Sequence, residues 1–173
     1  MTLTLTLTST LTLTRKASCA LWKNANPDEF VQVVQQAWDD HLQSKPFYKK
    51  HIAVVDDTAT SVMALCIHLK KRGAAVTQFG DGQHFVEWCA DQSPNDFDAV
   101  VLDYTMPRLN GLQTLQSLAN AHEALPPVVV YSTEATQIDL KQSLLSAGAT
   151  ACVEKRPACG GVLGELQKAT GPR

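Results

Sequence analysis

A doubly wound α/β sandwich, five parallel strands between two layers of helices, is the fold class this sequence predicts. Three observations point to it. From His51 onward, short β-branched runs alternate five times with amphipathic segments. The runs "AVV", "VVL" and "VVV" carry no polar alternation, the mark of strands buried on both faces, as in a parallel sheet. Acids, a hydroxyl or a lysine then stand where the runs stop: Asp56 and Asp57, Asp103, Ser132, and Lys155.

The elements follow in order. "MTLTLTLTSTLTLT" alternates leucine and threonine without a charge before Arg15. It lacks the basic start and continuous apolar stretch of a signal peptide, so residues 1–25 are expected to be a low-complexity, disordered tail or a wrongly assigned start. Residues 26–43 predict a helix, with Asn26 as cap, Pro27 in the first turn, and Asp28 and Glu29 suiting the positive end of its dipole. Phe30, Val34, Trp38 and Leu42 make an apolar stripe at four-residue spacing. That stripe suits packing on the chain's own domain, with a homodimer or partner contact as the alternative; Trp38 fits either. "SKPFYKK" (44–50) reads as a polar linker, and 26–50 together as a helix-plus-linker extension.

Next, "HIAVVDD" predicts a strand and "TATSVMALCIHLKKRG" a helix stopped by Gly73. "AAVTQF" is a strand and "DGQHFVEWCADQ" a helix, with Phe85 and Trp88 on its apolar face. "FDAVVLD" and "NGLQTLQSLANAH" form the third pair, "PPVVVYS" and "EATQIDLKQSLLSAG" the fourth. "ATACVEK" is the last strand. Its helix is expected to start at Pro157 and to be weakened by Gly160, Gly161 and Gly164, each costing roughly 1 kcal/mol relative to alanine inside a helix.

Bulk properties narrow the function. The 173 residues carry a net charge of −2 and are 45% hydrophobic, as in an ordinary globular chain. No lysine- or arginine-rich face predicts DNA binding. No apolar run approaches the roughly 20 residues of a membrane helix, so no membrane association is expected. Cys19, Cys66, Cys89, Cys152 and Cys159 include no C-x-x-C pair, which suits reduced thiols in the cytoplasm.

In a doubly wound sheet, ligands bind beyond the carboxyl ends of the strands. With the strand order 2-1-3-4-5, strands one and three are neighbours, and Asp56, Asp57 and Asp103 share one mouth. Three close carboxylates repel, and a divalent cation relieves the repulsion. All-oxygen ligation suits Mg²⁺. No glycine-rich phosphate cradle is present, so a free nucleotide is not expected. A lysine on one side and a hydroxyl on the other would instead hold a phosphoryl group on an aspartate. Asp103 is the candidate nucleophile, because a carboxylate can form an aspartyl phosphate, and Lys155 would serve as a point charge.

These residues carry a resemblance. The acid pair of "VVDD", the "LD-x-x-MP-x-x-x-G" of "LDYTMPRLNG", the hydroxyl of "VVVYS" and the lysine of "GATACVEK" stand in one order and spacing. In them the span 51–170 resembles the receiver domain of two-component response regulators, with its chemotaxis-regulator-like, flavodoxin-like sheet. The resemblance implies that Asp103 is phosphorylated by a histidine kinase or histidine phosphotransfer protein. It implies that Asp57, Asp103 and the Thr105 carbonyl ligate Mg²⁺, with Asp56 acting through water. Ser132 would bond the phosphoryl group and Lys155 would pair with it. Thr105 and Glu134 would shape the lifetime of the phosphorylated state.

Two positions depart from the family pattern. Cys152 stands where an aromatic usually reports the switch, so the switch is either muted or reported by another residue such as Tyr131. Arg156 separates Lys155 from Pro157, where the family has Lys-Pro. The Lys155-Arg156 bond is expected to be trans, since a non-proline cis bond costs roughly 3 kcal/mol.

The expected function is therefore a stand-alone, non-enzymatic receiver that signals to a downstream protein target by phosphorylation-dependent binding. No output module is expected after the last helix. The alternative is a non-switching interaction module that takes no phosphate. A haloacid-dehalogenase-type phosphatase would need an acid at position 105, where Thr105 stands. A flavin phosphate would be repelled by Asp56 and Asp57. His68 and His84 are read as surface residues rather than metal ligands.

Overall fold

A computed structural model describes residues 27–156 and 159–171 of the chain. The expectations for residues 1–25, for the Asn26 cap and for Pro157 as first helical residue lie outside the described residues. The chain divides into two units, 1–42 and 43–173.

The first holds all but the last residue of α1, which runs Pro27–Gln43. Side-chain amides of Gln35 and Gln36 donate to Asp39 and Asp40 one turn on, at 3.2 and 2.9 Å. Such i,i+4 pairs support a helix from its polar face. Val31, Val33, Val34 and Trp38 are exposed.

The second unit is the α/β sandwich. Its strands are β1 (His51–Val55), β2 (Ala75–Phe79), β3 (Ala99–Leu102), β4 (Val128–Ser132) and β5 (Ala151–Glu154). Its helices are α2 (Ala59–Lys71), α3 (Gly82–Asp91), α4 (Gly111–Ala121), α5 (Ile138–Ser146) and α6 (Gly160–Ala169). All pairings are parallel and the order is β2-β1-β3-β4-β5. The central strands β3 and β4 are buried along their whole length, while the edge strands β2 and β5 are partly exposed.

Alternate strand residues serve two cores. Ile52, Val54, Val101, Val129 and Tyr131 pack with Leu65, Leu69 and Leu166, from α2 and α6. Ala53, Val55, Val100, Leu102 and Val130 pack with Phe85, Leu115 and Leu144, from α3, α4 and α5. Phe85 is fully buried, and Trp88 packs partly buried against the second core.

Two local expectations differ from the structure. Segment 44–50 is more than a polar linker: Phe47 is 1% exposed in the first core, and its N–H donates to the Arg72 carbonyl at 3.0 Å. One large aromatic outweighs the polar residues around it, since burying it is worth roughly 1.5–3 kcal/mol. Helix α5 begins at Ile138 rather than near Glu134, because the chain leaves β4 through tight turns: Ala135 and Gln137 N–H bond the Ser132 and Glu134 carbonyls at 3.4 and 3.0 Å. Helix α6 runs Gly160–Ala169, preceded by Cys159 in a left-handed conformation (φ 51). Its glycines are offset by burial of Val162, Leu163 and Leu166.

Candidate functional site

The sheet ladder extends one residue past the strands and so fixes the acids. Asp56 N–H bonds the Phe79 carbonyl at 3.1 Å, and Asp103 N–H bonds the Val55 carbonyl at 2.8 Å. Because Val55 stands opposite Leu102, Asp56 and Asp103 emerge side by side. On the other flank Lys155 N–H bonds the Ser132 carbonyl at 3.1 Å, which brings Lys155 next to β4. The apolar runs thus set where each polar side chain leaves the sheet.

Asp56, Asp57 and Asp103 place carboxylate oxygens within 4.8 Å of one another. Asp56 and Asp103 are buried, and Asp57 stands exposed at the rim. Asp56 Oδ1 accepts the Thr58 N–H at 2.8 Å, and Asp103 Oδ1 accepts the Tyr104 N–H at 2.7 Å. Lys155 Nζ lies 2.8 Å from Asp56 Oδ2 and 2.7 Å from Asp103 Oδ2. Arg156 turns outward to Glu154, so Lys155, not Arg156, faces the acids. The Lys155-Arg156 bond is trans, as no described peptide bond is cis.

Burial pushes the Asp103 carboxyl above its ordinary range, against the pull of the Lys155 hydrogen bond and charge, and neighbouring Asp56 adds to the rise. Burial disfavours the Lys155 ammonium, but its bonds to Asp103 and Asp56 outweigh this and raise its pKa. One half-buried cation therefore bridges two of the three carboxylates, and Asp57 stands at the rim without a bond to it. The donor set is all hard oxygen, which fits Mg²⁺.

Ser132 is 1% exposed at the end of β4, and its Oγ lies 3.4 Å from the Glu134 N–H. Thr105 is exposed, and its hydroxyl donates to Glu134 Oε1 at 3.1 Å, which ties together the loops after β3 and β4.

The loop after Asp103 closes onto α4. Gly111 N–H bonds the Tyr104 carbonyl at 2.8 Å, and Asn110 and Gln113 form a reciprocal capping box. A Cβ on Gly111 would sit 2.6 Å from the Asp103 carbonyl oxygen and 2.9 Å from Tyr104 Cα, so glycine is required for that close approach.

Two contacts were missed by sequence reading. Arg108, in a left-handed conformation (φ 67), forms an ion pair with Asp81, which also caps α3 by accepting the His84 N–H. The Tyr131 hydroxyl bonds both backbone groups of Arg156. Neither leaves a periodic signal in the sequence. Tyr131 and Cys152 also belong to opposite faces of the sheet, so Tyr131 does not occupy the place of the missing aromatic.

Comparison with known proteins agrees with this geometry. The family model described as the response regulator receiver domain matches residues 52–160. QseB, a transcriptional regulatory protein of Haemophilus influenzae, is 33% identical over 116 residues, covering 67% of this chain and 50% of QseB. PilH of Pseudomonas aeruginosa is 32% identical over 89 residues, covering 51% of this chain and 71% of PilH. The chain thus spans half the length of QseB. Among solved structures, the CheX-CheY-BeF3-Mg complex of Borrelia burgdorferi superposes with a TM-score of 0.63 at 24% identity, covering 72% of this chain and 97% of that one. The response regulator domain of Thermotoga maritima CheB gives 0.60 at 22%, covering 72% and 98%. These last two likenesses show the fold. With a buried acid pair at the ends of β1 and β3, a lysine bridging it, and a family match over most of the sandwich, the chain belongs to the response regulator receiver domain family.

Proposed function

We propose that this chain is a phosphoacceptor that signals through a protein target. Asp103 takes a phosphoryl group from a phosphohistidine on a histidine kinase or phosphotransfer protein. The observation that carries this reading is the Lys155 ammonium within 2.8 Å of both Asp56 and Asp103, with Asp57 beside them. An Asp103 oxygen attacks phosphorus as the bond from phosphorus to the donor nitrogen breaks, and the imidazole leaves with that electron pair. Lys155 transfers a bond from Asp103 to the arriving phosphoryl oxygens. Ser132 supplies the second bond as its loop closes.

Asp57, Asp103 and the Thr105 carbonyl would hold Mg²⁺ directly, and Asp56 through water. The ion, when bound, neutralises charge on the phosphoryl oxygens. The Borrelia structure, solved as a complex that names both BeF3 and Mg, supports the assignment. Among the described residues, no helix is long and apolar enough to cross a membrane.

The test is labelling with acetyl phosphate in Mg²⁺. An acid-stable, base-labile phosphate that Asp103→Asn abolishes is the expected result. Absence of label from acetyl phosphate and from phosphohistidine donors alike would favour the non-switching interaction module.

A further inference from the structure

Tyr131 lies outside the acidic mouth, yet its hydroxyl is fully engaged next to it. The side chain is buried among the core residues under α2 and α6. Its hydroxyl donates to the Arg156 carbonyl at 2.8 Å and accepts the Arg156 N–H at 3.1 Å. One residue earlier, Lys155 N–H bonds the Ser132 carbonyl. Tyr131-Ser132 therefore grips Lys155-Arg156 at both residues.

This grip stands where the sheet ends. β5 is an edge strand that stops at Glu154, so the chain beyond Lys155 has no further ladder to fix it. The Arg156 side chain takes no part, since its guanidinium bonds Glu154 at 3.0 and 2.7 Å. What matters is the backbone. A proline at 156 would offer no N–H, whereas Arg156 presents one, and Tyr131 accepts it.

We propose that Tyr131 is a positioning residue for Lys155: its hydroxyl clamps the Arg156 backbone and so fixes the direction in which Lys155 leaves the sheet toward Asp56 and Asp103. The inference rests on the phosphoacceptor reading for its consequence, because a misdirected ammonium no longer meets the phosphoryl oxygens. In the test reaction an Asp103 oxygen forms the bond to phosphorus, the bond from phosphorus to the acetyl oxygen breaks, and acetate leaves.

The test combines a double-mutant cycle with a donor-free readout. Initial labelling rates by acetyl phosphate at saturating Mg²⁺ are measured for the wild type, Tyr131→Phe, Lys155→Ala and the double variant. Tyr131→Phe, which removes both bonds to the Arg156 backbone, is expected to slow labelling about fivefold, and to cause no further loss once Lys155 is alanine. Arg156→Ala, which leaves the backbone bonds intact, is expected to label like the wild type. The Lys155 side-chain ammonium NMR signal is expected to shift or broaden in Tyr131→Phe. An unchanged Lys155 signal, or an equal further loss of rate in the Lys155→Ala background, overturns the proposal. A shifted Lys155 signal in a protein that takes no label supports the clamp and overturns the phosphoacceptor reading instead.

Discussion

Lys155 Nζ stands 2.7 Å from Asp103 Oδ2, and the same ammonium reaches Asp56 at 2.8 Å. One lysine therefore bridges the ends of β1 and β3 from the far side of β4. The cluster holds three carboxylates against one cation. That imbalance makes the site a receptor for positive charge and ties its stability to pH.

Magnesium is expected to stabilise the fold. At a hundredfold excess over Kd, single-site binding adds about 2.7 kcal/mol, a rise in melting temperature on the order of 10 °C for a domain of this size. Asp57→Ala removes the exposed rim ligand and should lose most of that rise. Thermal unfolding with and without Mg²⁺ checks it, and an equal rise in Asp57→Ala would remove Asp57 from the ligand set.

Asp103 and its amide variant should differ with pH. Burial holds the Asp103 carboxyl above its ordinary 3.8. A carboxyl raised on folding contributes stability that is fully present below 3.8 and is lost as pH rises through the folded value. At neutral pH without Mg²⁺ the ionised Asp103 therefore works against the fold. Asp103→Asn is expected to melt above the wild type at pH 7, with the difference shrinking as the pH falls toward 3.8. Melting curves across that range measure it.

Asp81 should show the opposite sign. The His84 N–H, which it accepts, and then the Arg108 guanidinium hold its carboxyl below the usual range, outweighing the upward push of burial. Its contribution is present above 3.8 and is lost as pH falls through the depressed value. Asp81→Ala should lose about 1–2 kcal/mol at neutral pH, the scale of a missing N-cap, and less in acid. Asp81→Asn keeps the cap and should lose less than the alanine variant. Denaturant unfolding separates the two.

Gly111→Ala should destabilise the chain by about 1–3 kcal/mol, as overpacking against backbone does. The clash falls on the Asp103 carbonyl and on Tyr104, so the acceptor loop must shift. Labelling of Asp103 should fall as well, which a compensating change in temperature would not restore.

Much of this site was legible in the sequence because strands declare themselves by where their apolar runs stop. Val55 and Leu102 end such runs, and parallel pairing then forces Asp56 and Asp103 together. Ser132 and Lys155 follow by the same logic on β4 and β5. What escaped was set by contacts that leave no pattern. The Asp81–Arg108 pair joins two loops through a left-handed residue, and the Tyr131 clamp is a bond to backbone, which any residue at 156 except proline would offer. The start of α5 was displaced by turns after β4, held by the Ala135 and Gln137 N–H bonds, which leave no periodic mark. Phe47 entered the core from a stretch whose charges suggested solvent.

The central claim is that Asp103 is a phosphate acceptor served by Lys155. Its most direct test is the intact mass of the wild-type protein after incubation with Mg²⁺ and acetyl phosphate, beside Asp103→Asn treated in parallel. The expected result is a wild type heavier by one phosphoryl group, with the added mass lost at alkaline pH, and an Asp103→Asn protein of unchanged mass. Equal phosphoryl addition to both proteins, or none to the wild type with any phosphodonor, would contradict it.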